Sequence, residues 1–188
     1  MAYLRGRAAM SHLSRVFQLL RNRQTVRAFA ERPVPPASLA RILDVGRYAP
    51  STRESQPWRF VVVQDAMTRY KLAAEAFNNP LVRTAPVIVV ACARVHSLVG
   101  GNGRVSHPVD LAAAVQSMAL AAADLGLAAA WITGYREPGV REALGVPSDV
   151  PVVALLTIGY ADGFTGLAER RPEEDVVAWE RWGKDTEW

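Results

Sequence analysis

Arg23, Thr25 and Arg27 occupy alternate positions in the stretch Arg23-Gln24-Thr25-Val26-Arg27, with Arg21 upstream and Phe29 downstream. If the stretch runs extended, its period of two sends two guanidinium groups and a hydroxyl to one side. Such a convergence suits a polyanion, phosphate above all, because guanidinium forks give its oxygens bidentate, charge-assisted hydrogen bonds. Each bond of this kind contributes roughly 1.5–3 kcal/mol net, so a few would hold a mononucleotide by its tail. A solvated basic run following a helix explains the same residues equally well.

A second polar stretch lies between two prolines, Pro50-Ser51-Thr52-Arg53-Glu54-Ser55-Gln56-Pro57-Trp58. It opens onto Arg59-Phe60-Val61-Val62-Val63, whose β-branched run reads as a buried strand. Hydroxyls and amides delivered by a rigid strand suit recognition of a polar ligand edge, although a plain connection between helix and strand has the same composition. Other chemistries are missing from the sequence. His12, His96 and His107 lack metal-ligand spacing, and neither a Gly-x-Ser-x-Gly elbow nor a Walker loop is present. Asp110 reads as a residue placed for a helix dipole, and Glu173-Glu174 as solvated charge. Donors to anions and amides without an evident acid, base or nucleophile fit a protein whose cofactor carries the hard chemistry.

These stretches need elements to position them. Leu13, Phe17, Leu19 and Leu20 predict a first helix capped by Ser11 or Ser14, and a second runs from about Ser38 to Tyr48 after Pro33, Pro35 and Pro36. Residues 66 to 77 are helical in pattern and are ended by Asn78-Asn79-Pro80. Residues 86–93 form an apolar strand fit for the centre of a sheet. Gly100-Gly101-Asn102-Gly103 reads as a turn on a mobile rim rather than a phosphate loop. The longest helix spans Val109 to about Leu125 and is apolar on nearly all faces, the pattern of burial in a core or a subunit interface. A short strand, residues 128–134, a helix from Glu137 to Leu144 closed by Gly145, and a strand over 151–160 complete the order. Trp179, Trp182 and Trp188 put too much apolar area in the tail to stay wet, so a second subunit is expected to cover it.

At 188 residues the chain suits one domain, which buries roughly 70% of its unfolded surface. Cys92, the single cysteine, excludes an internal disulfide and fits a reducing cytoplasm. No segment resembles a signal peptide or a membrane span. The net charge of +4 does not signal nucleic-acid binding. Lys71 and Lys184 are the only lysines, and the arginines are scattered without a basic stripe interleaved with aromatics.

In their order these motifs resemble those of the nitroreductase family of flavin enzymes, over roughly residues 14 to 182. The family's Arg-Arg-Ser-x-Arg-x-Phe is similar to Arg23 to Phe29, which implies that Arg23, Gln24, Thr25 and Arg27 hold the phosphate and ribityl of FMN. Its Pro-Ser-x-x-Asn-x-Gln-Pro-Trp resembles Pro50 to Trp58, implying that Pro50, Ser51, Thr52, Ser55 and Gln56 reach the flavin of the other subunit. Asn78 matches a flavin contact. Trp131-Ile132-Thr133-Gly134 resembles the turn against the isoalloxazine ring, with the Thr133 N–H facing flavin N5, and Arg170 with Arg171 matches the basic pair closing on the phosphate. Three positions depart from the pattern: Glu54 replaces the usual Asn, while Leu81 and Ala168 replace basic residues.

The resemblance implies an α+β fold, a mostly antiparallel sheet flanked by helices in an intertwined homodimer. One domain over residues 14–188 would follow a loose leader at 1–13. It further implies an oxidoreductase that takes hydride from NADH or NADPH onto flavin N5 and passes electrons, in a ping-pong scheme, to a small aromatic acceptor of nitroarene or quinone type. Alternatives are a non-enzymatic flavin-binding or redox-sensing protein, a flavin-fragmenting branch, whose expected acid is replaced by Thr25, and a reductive dehalogenase, for which Tyr70-Lys71 to Glu75 is a short candidate lid.

Overall fold

A computed structural model of the chain describes residues 15–22, 26–94, 99, 103–163 and 169–182. Four strands, β1 (Trp58–Val63), β2 (Val87–Ala93), β3 (Ala128–Ile132) and β4 (Val152–Gly159), form one sheet in the order β1-β2-β4-β3. Every pairing is antiparallel. The helices are α1 (Arg15–Asn22), α2 (Pro36–Gly46), α3 (Ala66–Glu75), α4 (Pro80–Thr84), α5 (His107–Asp124), α6 (Glu137–Leu144) and α7 (Glu173–Val176). No helix among the described residues is long and apolar enough to cross a membrane.

All seven residues of β2 are buried, so both faces of the sheet must be covered. Alternation along the strand divides the two cores. Val87, Val89, Ala91 and Ala93 pack with Leu39 and Ile42 of α2 and with Leu111, Val115 and Met118 of α5. Ile88, Val90 and Cys92 pack on the other face with Leu72 of α3, Val82 of α4, Val140 of α6, and Val26 and Phe29 from the segment before α2.

Four sequence expectations change. α2 begins at Pro36 rather than at about Ser38, because proline is suited to a helix's first turn, where its missing N–H costs nothing. The pause at Asn78-Asn79-Pro80 is followed at once by α4, because the Asn79 side chain accepts the Leu81 N–H at 2.9 Å and restarts a helix. Tyr70 to Glu75 is no lid: it lies within α3, with Leu72 and Ala73 buried in the core. Within one chain α5 is buried along one face only, and Val109 is 73% exposed. Gly126 and Gly145, at φ 73° and 63°, end α5 and α6 as the sequence predicts.

The segment that carries Arg27 is fastened to the end of β4. Phe29 bridges to Ala161, the Ala30 N–H donates to the Tyr160 carbonyl at 2.9 Å, and the Asp162 N–H donates to the Ala28 carbonyl at 3.0 Å. Gly159 allows this close approach: a Cβ there would stand 2.7 Å from Pro86 Cδ and 2.8 Å from Phe29 Cδ1. Gly159→Ala should therefore lower stability by about 1–3 kcal/mol in chemical denaturation, and a wild-type midpoint would contradict this packing.

Candidate functional site

The expected site residues fall into two groups, one on each side of the sheet. On the α3–α4 side, Val26 and Phe29 are 4% and 3% exposed and hold the exposed Arg27 between them. The Phe29 N–H donates to Thr84 Oγ1 at 3.1 Å, and that hydroxyl donates to the Pro80 carbonyl at 2.8 Å. Asn78 stands two residues ahead of the other end of α4, a five-residue helix with about 7.5 Å of rise. Arg27 has no ion-pair partner among the described residues. Arg23, Gln24 and Thr25 lie outside the described residues, as do the leader, Gly100, Gly101, Asn102, Ala168 and Trp188.

The turn after β3 joins the same side. The Arg136 N–H donates to the Glu75 carbonyl at 2.9 Å, and its guanidinium pairs with Glu75 Oε2 at 3.0 Å and lies 5.3 Å from the Phe77 ring centroid. Arg136 thereby ties the turn that carries Thr133 and Gly134 to the end of α3. Both are exposed, and nothing lies within 4 Å of where a Cβ on Gly134 would stand. Ile132 is buried beneath them, whereas Trp131 faces the α5 side with its Nε1 buried and unpartnered. Leu81, the departure from a basic residue, packs into the α3–α4 core.

The Pro50–Gln56 loop lies on the opposite side, against the start of α5. Asp110 Oδ1 accepts the Thr52 N–H at 2.8 Å and the Thr52 hydroxyl at 3.0 Å. Inside the loop, Ser51 Oγ accepts the Gln56 N–H at 3.0 Å, and the Ser51 carbonyl accepts the Glu54 N–H at 3.1 Å. Pro50 is exposed, Ser51 and Thr52 are half-buried, and Ser55 and Gln56 are exposed. Arg53, Glu54 and Gln56 adopt left-handed φ values of 51°, 55° and 43°, and Phe77 and Asn78 follow at 54° and 55°. Left-handed non-glycine residues concentrate where structure serves function, and five of the six among the described residues fall in these two groups, the sixth being Glu180 in the tail.

Arg170 and Arg171 are exposed ahead of α7; Arg170 donates to the Glu169 carbonyl at 3.2 Å, and Arg171 faces Asp175 Oδ2 at 3.8 Å. No described contact joins them to Arg27. Asp110 is the residue whose part the sequence hides: its position suits a helix dipole, yet it is 4% exposed and ties down a loop 58 positions away. Nearby, burial pushes the His107 imidazole below its ordinary value of 6.5 against the smaller opposing pull of Asp110. Cys92 is buried, its thiol pushed up to about 11 by desolvation, and is suited to packing rather than nucleophilic work.

The Nitroreductase family model matches residues 20–80 and 73–160 of the chain. An NADH dehydrogenase of Thermus thermophilus is 30% identical over 188 residues, covering 84% of this chain and 92% of that protein. Among solved structures, a nitroreductase family protein from Clostridium difficile 630 superposes with a TM-score of 0.82 at 26% identity, covering 90% of this chain and all of that one. An iodotyrosine deiodinase structure, bound to FMN and 3-iodo-L-tyrosine, has the same fold at a TM-score of 0.78 and 20% identity, covering 89% of this chain and all of that one.

Two outcomes follow from the local geometry. A left-handed conformation costs an ordinary L-residue about 1–2 kcal/mol and Asn less, so Glu54→Asn should raise stability by up to about 1 kcal/mol; an unchanged or lower denaturation midpoint contradicts strain at this turn. Because the fold holds His107 below its unfolded value, the unfolded chain binds the extra proton first and stability falls as pH drops through 6.5. Melting scans between pH 7.5 and about 5.5 should show a smaller loss for His107→Gln than for wild type.

Proposed function

The chain belongs to the nitroreductase family, and from that premise we propose that it is an FMN-dependent oxidoreductase acting as a homodimer. Its electron donor is NADH or NADPH and its acceptor a small aromatic molecule of nitroarene or quinone type, reached in a ping-pong scheme. FMN, when bound, supplies hydride acceptance at N5 and onward electron transfer. The chain's own residues supply binding and orientation.

The observation that carries this reading is an exposed cation on a rigid base and an open turn on the same side of the sheet. Arg27 projects from a segment locked by Val26 and Phe29, while Thr133 and Gly134 form an exposed turn whose neighbour Arg136 is tied to Glu75 of α3. The donor set suits FMN: guanidinium for phosphate, the Asn78 amide and Thr133–Gly134 backbone for the ring edges, with Arg23, Gln24 and Thr25 completing the phosphate end. Arg170 and Arg171 close on it from the tail. The fold itself accommodates FMN in the deiodinase.

A homodimer is supported by the two-sided arrangement. Pro50, Ser51, Thr52, Ser55 and Gln56 are held on the α5 side, so in this reading they serve the partner's flavin. Apolar surface in the single chain points the same way. Val109, Trp179 and Trp182 are 73%, 69% and 70% exposed, and Phe17 and Leu20 are exposed as well, large apolar side chains that a second subunit would cover. Solvent supplies protons to the acceptor, since no side chain among the candidates is placed as an acid.

Arg27→Ala removes one charged donor, an interaction of roughly 1.5–3 kcal/mol, and should weaken FMN binding by about tenfold to a hundredfold in a fluorescence titration. An unaltered dissociation constant in the Arg23→Ala/Arg27→Ala double variant would sink the phosphate assignment.

A further inference from the structure

We infer that Asp110 is a positioning residue, the post from α5 that holds the Pro50–Gln56 loop in its binding shape through Thr52. The inference rests on the functional reading above for what the loop touches, but its physical basis is independent of it. Three of the loop's residues, Arg53, Glu54 and Gln56, are left-handed, a shape that an exposed seven-residue segment does not keep unaided. The remaining loop bonds, Ser51 Oγ to the Gln56 N–H and the turn bonds to the Ser51 and Thr52 carbonyls, are internal and move with the loop. Among the described residues, Thr52 is where residues 51–56 hydrogen-bond to the rest of the fold, with both of its donors converging on one Asp110 oxygen at 2.8 and 3.0 Å. The next attachment is at Pro57, whose carbonyl accepts the Arg94 N–H.

Asp110 is built for this work. It sits in the first turn of an 18-residue helix, where the dipole favours its charge. At 4% exposure it has little water to compete with Thr52. Its second oxygen, Oδ2, is buried without a partner, as is the neighbouring Ser106 Oγ. Keeping a carboxylate with one unsatisfied oxygen in such a place is costly for folding alone, and the loop contact is the return on that cost.

The carboxylate accepts both Thr52 donors, so Thr52→Val removes the hydroxyl bond and crowds the amide bond, whereas Thr52→Ser restores the hydroxyl. In the full-length protein without flavin, amide hydrogen exchange over residues 52–56 should quicken by about tenfold in Thr52→Val, return to wild type in Thr52→Ser, and stay unchanged in β2. Asp110→Ala should give the larger loop effect; if it does not fold, the Thr52 pair still decides. With FMN added, the Thr52→Val protein should bind about tenfold more weakly, with Thr52→Ser near wild type. Unchanged loop exchange in Thr52→Val overturns the tether, and so does quickened exchange that includes β2, which marks general destabilisation. Quickened loop exchange with undiminished FMN affinity overturns its role in binding. A wild-type protein that binds no FMN while exchange behaves as expected overturns the cofactor reading and leaves the tether standing.

Discussion

Burial of β2 on both faces is the constraint from which the rest of the molecule follows. A strand with no wet side must be sandwiched, and its alternating side chains assign each covering helix to one of two cores. Ile88, Val90 and Cys92 call for α3, α4 and α6; Val87, Val89, Ala91 and Ala93 call for α2 and α5. Each functional segment is then fixed by the core it helps to close. Val26 and Phe29 complete the first, and in doing so they set Arg27 in place. Asp110 emerges from the helix that completes the second and there meets Thr52.

The sheet therefore separates the two groups of candidate residues: Arg27, Asn78, Thr133 and Gly134 lie on the α3–α4 side, and the left-handed loop stands against α5 on the other. In a monomer that separation would be a waste of ordered, strained backbone. In a two-fold assembly it is a means of completing each site with the neighbour's loop, and the exposed apolar residues of α5 and the tail are where such an assembly would be glued.

Much of this was legible in the sequence. The four strands stand out as apolar runs with Pro57, Pro86, Gly126 and Pro151 just ahead of them, and Gly126 and Gly145 stop their helices where the pattern says they should. The Pro50–Trp58 loop stands out between its two prolines, and Trp131–Gly134 reads as a strand reaching a turn; a role for either at a flavin comes from the family resemblance, not from composition. What failed to show were effects set by tertiary contact. Composition gives α5 apolar residues all round, and within one chain the sheet and α2 bury one face of it while Val109 stays exposed. Asn79 and Pro80 look like an ending and are also a beginning, since a cap followed by proline serves either. Asp110 offered a sufficient local explanation in the helix dipole, so nothing in its neighbourhood pointed 58 positions back to Thr52.

Whether the chain is a flavin-loaded oxidoreductase is decided most directly by one visible spectrum in two stages. The purified protein is mixed with FMN and desalted, then treated anaerobically with NADH or NADPH. A flavin band that is retained and then bleaches is the predicted result, and with it the nicotinamide donor is identified. A band that is retained but stays yellow contradicts the oxidoreductase and leaves a flavin-binding protein. No retained band contradicts the FMN site itself, and Arg27 would then be a surface arginine on a well-packed stem.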